Sequence, residues 1–209
     1  MVVKEIANIS FRLMLICAVS ALVLSVVSDW TEAPIAAAAR RAEMEAVAAV
    51  LPPFDNSPDS CAVSMGEAGE EGRTYYVGTR GGSVTGVAVR SSSKNGYGGV
   101  IDLMVGVDGA GTVTGVRVLR HSETPGLGAN YTQNDLIQRF YVGRRLMSTD
   151  WRVKQDGGDI DAVTGATITG RAVAEALHSA LRRYDQEKER LRGGIGKTPL
   201  ADGEGEGRK

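Results

Sequence analysis

Between Leu13 and Val27 the chain reads LMLICAVSALVLSVV, without one charged residue. Within the longer run Ile6–Ser28 it approaches the roughly 20 apolar residues that a bilayer-spanning α-helix requires. This run divides the chain before any other feature is read. Lys4 and Arg12 lie on its N-terminal side, Asp29 and Glu32 follow it, and Trp30 stands where an interfacial aromatic belongs. The positive-inside rule predicts a cytoplasmic N-terminus and an extracytoplasmic remainder. The alternative is a cleaved signal peptide. No small-x-small site directly follows the run, but the alanines near Ala36 keep that option open.

The 209 residues leave room for one folded domain besides this helix. A formal net charge of -1 gives no basic field for nucleic acid. Glycine is abundant, with 27 residues, and aromatics are few, which suits a turn-rich α+β domain. Cys17 lies in the apolar run and Cys61 in a polar loop, so they are expected to stay unpaired. His121 and His178 are far apart, and no cluster has metal-ligand spacing, so no metal site is expected.

Ile35, Ala39, Ala42, Val47 and Val50 recur at helical spacing, predicting a separate helix over Thr31–Leu51 that starts at Pro34 and stops at Pro52-Pro53. Asp55–Gly72 reads as loop. Strands are predicted over Thr74–Thr79, Val84–Arg90, Val100–Val107 and Thr112–Leu119, the last two forming a hairpin across DGAG. Ser91–Gly96 reads as a polar loop, Asn134–Val142 as a helix and Trp151–Lys154 as a short strand. Over Ile168–Tyr184, the residues Val173, Leu177, Ala180, Leu181 and Tyr184 share one helical face. His178 and the Arg182-Arg183 pair read as solvated. From Gln186 the chain is charged and glycine-rich, and reads as a mobile tail.

Three glycine-bearing segments can carry chemistry. The first is DAVTGATIT, Asp161–Thr169, which leads into the last helix. A helix start presents free N–H groups and a positive dipole end, so it can hold phosphate. Gly165 and Ala166 bring no bulk, and Thr164, Thr167 or Thr169 could equally act as a cap through its hydroxyl. The second is HSETPGLGAN, His121–Asn130. Pro125 biases Thr124 to an extended backbone, Gly126 and Gly128 allow close approach of a ligand, and Glu123 and His121 offer polar contacts. An ordinary tight connection reads the same way. The third is NGYGGVI, Asn95–Ile101, where glycines flank Tyr97 and a flat ligand could lie near the strand.

Taken together these segments resemble the FMN-binding domain family, and within it the G subunits of bacterial Rnf electron-transport complexes. The resemblance spans nearly the whole chain: the apolar helix, VLP at Val50–Pro52, GYGGVIDLMVGVD from Gly96, HSETPGLG from His121 and DAVTGATIT from Asp161. The C subunits of sodium-translocating NADH:quinone oxidoreductases are related but usually longer. The implied fold is α+β: a single transmembrane helix followed by an FMN-binding domain of antiparallel strands and packed helices. The implied division is 1–30 cytoplasmic N-terminus and transmembrane helix, 31–53 connecting helix, 54–185 FMN-binding domain and 186–209 flexible tail.

The family carries FMN joined by a phosphoester to a threonine in an Asp-x-x-Ser/Thr-Gly-Ala-Thr motif. Here the resemblance implies attachment at Thr167, with Asp161, Thr164, Gly165 and Ala166 completing the motif. It implies that Glu123, Thr124, Gly126, Leu127 and Gly128 line the flavin, with Tyr97 a further contact. Gly170 departs from relatives, which often have serine there. A flavin transferase using FAD and a divalent metal ion makes the bond in the family, supplying the activation that a free threonine hydroxyl lacks.

The resemblance further implies an electron carrier without independent catalysis. It would work beside other membrane and redox subunits of an ion-translocating ferredoxin:NAD oxidoreductase. Its place would be the bacterial inner membrane, in contact with lipid and with its C-terminal domain on the periplasmic side. Two other readings stay open: an anchored scaffold whose TGAT stretch only starts a helix, and a membrane-anchored covalent flavoprotein of another extracytoplasmic reductase or of a sodium-translocating NADH:quinone oxidoreductase.

Overall fold

The computed structural model describes residues 2–65 and 73–194. Two compact units divide the chain, Met1–Ala42 and Glu43–Lys209. In the first, helix α1 (Val2–Val50, which continues into the second) carries exposed apolar side chains such as Leu13, Leu22, Leu24 and Trp30. It is long and apolar enough to cross a membrane. The predicted break at Pro34 does not occur, and one helix runs through it. A proline removes one N–H donor and crowds the preceding turn. Here the surrounding alanines, the best helix formers, favour continuation on the C-terminal side. The helix ends at Val50, immediately before Leu51 and the expected Pro52-Pro53 stop.

The second unit is α+β. Among the described residues five antiparallel strands lie in sequence order: β1 (Val63–Met65), β2 (Arg73–Arg80), β3 (Ser83–Gly96), β4 (Gly99–Asp108) and β5 (Val113–Arg120). Alternation sends neighbouring side chains to opposite faces. Val87, Val89, Leu103 and Val105 enter the larger core together with residues of two later helices, Asn134–Tyr141 and Thr167–Gly194. With a short helix α2 (Gly128–Tyr131) before them, these are α3 and α4. Tyr76, Ala88 and Met104 face the other way and meet Ala46, Val47, Val50 and Leu51 at the end of α1. All five residues of the predicted α4 face are buried.

A track of strand glycines seats the α1 terminus. A Cβ on Gly106 would lie 2.0 Å from the Val50 carbonyl oxygen, and one on Gly115 would lie 2.7 Å from Val50 Cα. On β3, a Cβ at Gly86 would lie 2.7 Å from Pro52 Cδ. The Thr114 hydroxyl donates to the Val50 carbonyl at 2.7 Å, satisfying an acceptor that the helix leaves open. These glycines therefore serve close packing, not turns.

Several expectations need correction. Ser91–Gly96 is strand, not loop, because Ser91 and Ser93 turn inward and donate to α4, at Ala176 O (2.8 Å) and Glu175 Oε2 (2.7 Å). The expected Asp55–Gly72 loop contains β1, and its residues 66–72 lie outside those described. Trp151–Lys154 forms no strand; Val153 makes a single bridge with Ile160 before a short 3-10 helix, Lys154–Asp156. The last helix passes Gln186 and reaches Gly194, with Leu191 buried, so the expected tail is helical at least to that point. Residues 195–209 lie outside those described. His178 is not solvated but half-buried, stacked on Trp151 with ring centroids 6.1 Å apart and planes 13° apart.

This packing makes two changes measurable. Gly106→Ala drives a methyl into the Val50 carbonyl, and overpacking of this kind costs about 1–3 kcal/mol; a lowered denaturant midpoint would register it. Burial, and then the nearby Arg182, hold the His178 pKa below its ordinary 6.5, so unfolding takes up a proton between the two values. His178 thus adds nothing against unfolding at pH 8, and stability is lost as the pH falls below about 6.5 toward its folded value. Thermal melts from pH 8 to 5 should fall more steeply for wild type than for His178→Gln.

Candidate functional site

The three glycine-bearing segments meet at one buried carboxylate. Glu123 is 5% exposed. Its Oε1 accepts the Gly98 N–H at 3.0 Å, and its Oε2 accepts the Thr169 hydroxyl at 2.5 Å. One side chain therefore joins the β3–β4 turn, the ETPGLG loop and the first turn of α4. Glycines make the room. A Cβ on Gly128 would lie 2.1 Å from Glu123 Oε2, and one on Gly96 would lie 2.7 Å from Oε1. At Gly98 the turn comes so close that a Cβ would lie 1.9 Å from the Ser122 carbonyl.

The ETPGLG loop is folded on itself. The Thr124 carbonyl accepts from both Leu127 N and Ala129 N at 3.2 Å, and Gly126 has φ of +80°. Helix α2 follows directly. His121 Nδ1 accepts the Glu123 N–H at 3.3 Å, which leaves its ring proton on Nε2, 3.2 Å from Thr132 Oγ1. That hydroxyl in turn donates to the Ala129 carbonyl. His121 thus acts within the loop.

At the start of α4, Gly165 has φ of +82° and is packed against Leu127, whose Cδ2 would lie 3.3 Å from a Cβ there. The Ala166 carbonyl accepts the Gly170 N–H at 2.9 Å, so Ala166 takes the cap position and no threonine hydroxyl caps the helix. The amides of Thr167, Ile168 and Thr169 form the first turn. Thr169 is buried and committed to Glu123, Thr164 is exposed in the preceding turn, and Thr167 is half-exposed at the helix start. Asp161 pairs with Lys154, Oδ1 to Nζ at 2.5 Å.

Sequence reasoning missed the tyrosines beneath this loop. The Tyr131 and Tyr141 hydroxyls lie 2.8 Å apart and share one hydrogen bond, with Tyr131 Oη 3.1 Å from the Asp161 carbonyl and Tyr141 Oη 3.4 Å from the Gly170 carbonyl. Burial pushes Tyr131 up to about 12 and raises Tyr141 well above the ordinary tyrosine value, so both stay protonated. Gly170 lies against the Tyr131 ring; a Cβ there would be 3.2 Å from Cε2. No sequence pattern marks this contact, since Tyr131 and Tyr141 read only as aromatic residues at the edge of a loop and a helix.

Among the predicted site residues, Glu123 and Gly128 are buried inside the junction. Tyr97, Thr124, Gly126, Leu127, Thr164 and Gly165 are exposed around it, Ala166 is buried, and Thr167 and Asp161 are half-exposed. Tyr97, Leu127 and Ile168 are large apolar side chains left 67%, 49% and 45% exposed, one on each of the three segments.

Glu123→Ala strips partners from Thr169 Oγ1 and the Gly98 N–H, a loss of about 1–3 kcal/mol for groups left unsatisfied. Gly128→Ala should act in the same direction by displacing the carboxylate. Both should speed amide hydrogen exchange over 95–99 and 121–131, while Glu123→Gln, which can still bridge the segments, should do so less.

Residues 96–182 match the model of the FMN-binding domain family. The chain is 41% identical over 180 residues to the G subunit of the ion-translocating oxidoreductase complex of Cereibacter sphaeroides strain ATCC 17029, covering 83% of this chain and 81% of the relative. The protein of the same name from Pseudomonas aeruginosa UCBPP-PA14 is 39% identical over 179 residues, covering 80% of this chain and 83% of the relative. The crystal structure of Shewanella oneidensis NqrC aligns with a TM-score of 0.49 and 25% identity, over 59% of this chain and 62% of that one. With about 40% identity to the first two sustained over four-fifths of each chain, the protein belongs to the family of G subunits of ion-translocating oxidoreductase complexes.

Proposed function

We propose that the chain is the electron-carrying flavoprotein subunit of a membrane-bound, ion-translocating ferredoxin:NAD oxidoreductase of the Rnf type, with FMN esterified through its phosphate to Thr167. The observation that carries this reading is the junction of three motif segments around Glu123, which leaves one threonine hydroxyl available at a helix start beside exposed apolar side chains. The residues fit such a group. The first turn of α4 offers N–H donors and a positive dipole end to a phosphate ester. Thr167 stands at the first helical position, whereas the Thr169 hydroxyl is already committed. Tyr97, Leu127 and Ile168 offer apolar surface to a flat ring, and Thr124, Gly126, Gly128 and Gly165 shape the backbone near it.

Bound FMN supplies the redox chemistry; the chain holds it and sets its surroundings. Glu123 and Gly128 fix the loop from beneath. The Tyr131–Asp161 hydrogen bond fixes the segment that brings Thr164 and Thr167 into place. Asp161, tied to Lys154, belongs to the stretch that a flavin transferase would recognise. The apolar run of α1 anchors the domain in the inner membrane with 54–185 as the flavin domain on the periplasmic side. Confinement to a plane raises the encounter rate with the other membrane and redox subunits.

Coexpression with a flavin transferase, followed by a denaturing gel viewed under ultraviolet light, tests attachment. A fluorescent band is expected for wild type and Thr164→Ala, and none for Thr167→Ala. An unlabelled wild-type band would remove the covalent claim. Copurification with other membrane subunits distinguishes an Rnf-type complex from a separate reductase.

A further inference from the structure

A cleft of about 600 Å³ opens between α4 and residues 146–156. That is the size of pocket that takes a small organic ligand. Its apolar lining comes from Leu146, Trp151 and Val153. An exposed stripe of α4 runs into it. Thr167, Arg171, Glu175 and His178 recur at helical spacing, and all are exposed or half-exposed. Residues three and four apart are neighbours on one helix face. Arg171, Glu175 and His178 line the cleft, so its lining begins one helical turn from Thr167, about 6 Å along the axis.

The two arginines of the cleft are already paired. Arg152 Nε donates to Asp150 Oδ1 at 3.0 Å, and Arg171 donates to both oxygens of Asp156 at 2.7 Å. Glu175 Oε2 accepts from Ser93 Oγ at 2.7 Å and from Asn95 Nδ2 at 2.8 Å. The indole N–H of Trp151 is taken by the Leu146 carbonyl at 3.3 Å. Among the described residues, no hydrogen bond holds Glu175 Oε1 or either ring nitrogen of His178. Burial, and then Arg182, hold the His178 pKa below its ordinary 6.5, so the ring is neutral at pH 8 and offers one N–H donor and one acceptor. That ring lines the cleft with Trp151 stacked against it. An anionic ligand finds no unpaired cation here. A flat, uncharged ring edged with both donors and acceptors fits these groups, by stacking and by hydrogen bonding. The isoalloxazine ring of oxidised flavin has this chemistry, and its phosphate can stay at the helix start.

We propose that this cleft is a second seat for the ring of FMN esterified at Thr167, with His178 and Trp151 offering aromatic surface and Glu175 Oε1 accepting from its N–H edge. The second seat rests on the reading of Thr167 as the attachment residue. It adds a resting place apart from the junction of Tyr97, Leu127 and Ile168. A tethered ring with two seats is presented at two places on the domain without leaving the chain.

The chain has two histidines, and they separate the seats: His121 stands in the junction loop and His178 in the cleft. The test uses the full chain in detergent micelles at pH 8, with isotope-labelled histidine, coexpressed with and without a flavin transferase. The ultraviolet gel first establishes that flavin is attached, and nuclear magnetic resonance then follows the histidine rings. The His178 signal of the flavin-bearing chain should move from its position in the flavin-free chain. Thr149 also lines the cleft, and Thr149→Phe would fill it; in that variant, attaching flavin should leave His178 unmoved. A fluorescent wild-type band with His178 unmoved overturns the second seat and leaves the attachment reading standing. A His178 shift that persists in Thr149→Phe also overturns it. Movement of His178 when free riboflavin is added to the flavin-free chain, with none in the flavin-bearing chain, assigns the cleft to a free flavin and overturns the tethered occupant. A wild-type band without fluorescence overturns both readings together.

Discussion

A buried carboxylate needs partners, because leaving it unpaired away from water is strongly unfavourable. Glu123 finds them on two different segments, at Gly98 N–H and Thr169 Oγ1, and its own backbone belongs to a third. The requirement to satisfy this one group couples pieces of chain 46 residues apart. It also accounts for glycines that turn geometry alone does not explain. Gly96, Gly98 and Gly128 stand where any Cβ would strike Glu123 or the backbone beside it. The exposed surface of the junction is thereby held by a group that is itself almost wholly buried, so the proposed flavin-lining side chains rest on a fixed frame.

The opposite face of the sheet follows a similar rule of close approach without side chains. Gly86, Gly106 and Gly115 let Val50 and Pro52 lie directly on the strands, and Thr114 closes the hydrogen bond that the end of α1 leaves open. The domain therefore grips the last turns of α1 through backbone as well as through the Val47 and Val50 side chains. Ala46, Val47 and Val50, in the last turns of α1, are part of the core of the second unit.

Long periodic patterns were legible in the sequence, and boundaries set by distant contacts were not. The α4 face from Val173 to Tyr184, the β4–β5 hairpin and the stop at Pro52 follow from local chemistry. Pro34 misled because a proline in the first turn of a new helix and a proline inside a long one have the same neighbours. Ser91–Gly96 looked like loop because its serines and lysine are polar; they are strand because alternate serines reach α4 and the residues between them stay exposed. His178 looked solvated because nothing local announces the Trp151 ring. At the site, the motif residues were legible as a set. Which of them supports and which is presented was not, since that depends on partners such as Tyr131 and Gly98 contributed from elsewhere.

The three threonines at the α4 start show how the frame sorts chemically similar groups. A hydroxyl becomes a useful attachment point only if it is accessible and not engaged in a structural hydrogen bond. Thr169 fails the first condition and the second, being 1% exposed and donating to Glu123. Thr164 is accessible but precedes the positive-φ turn at Gly165, ahead of the amides that begin the helix. Thr167 stands at the helix start, where a phosphate ester would meet the dipole and the unused N–H groups of the first turn. Ala166 rather than a threonine takes the cap position, and among the described residues no side-chain oxygen is hydrogen-bonded to those amides. The same arrangement that deprives the helix of a cap leaves room for an anion to serve as one.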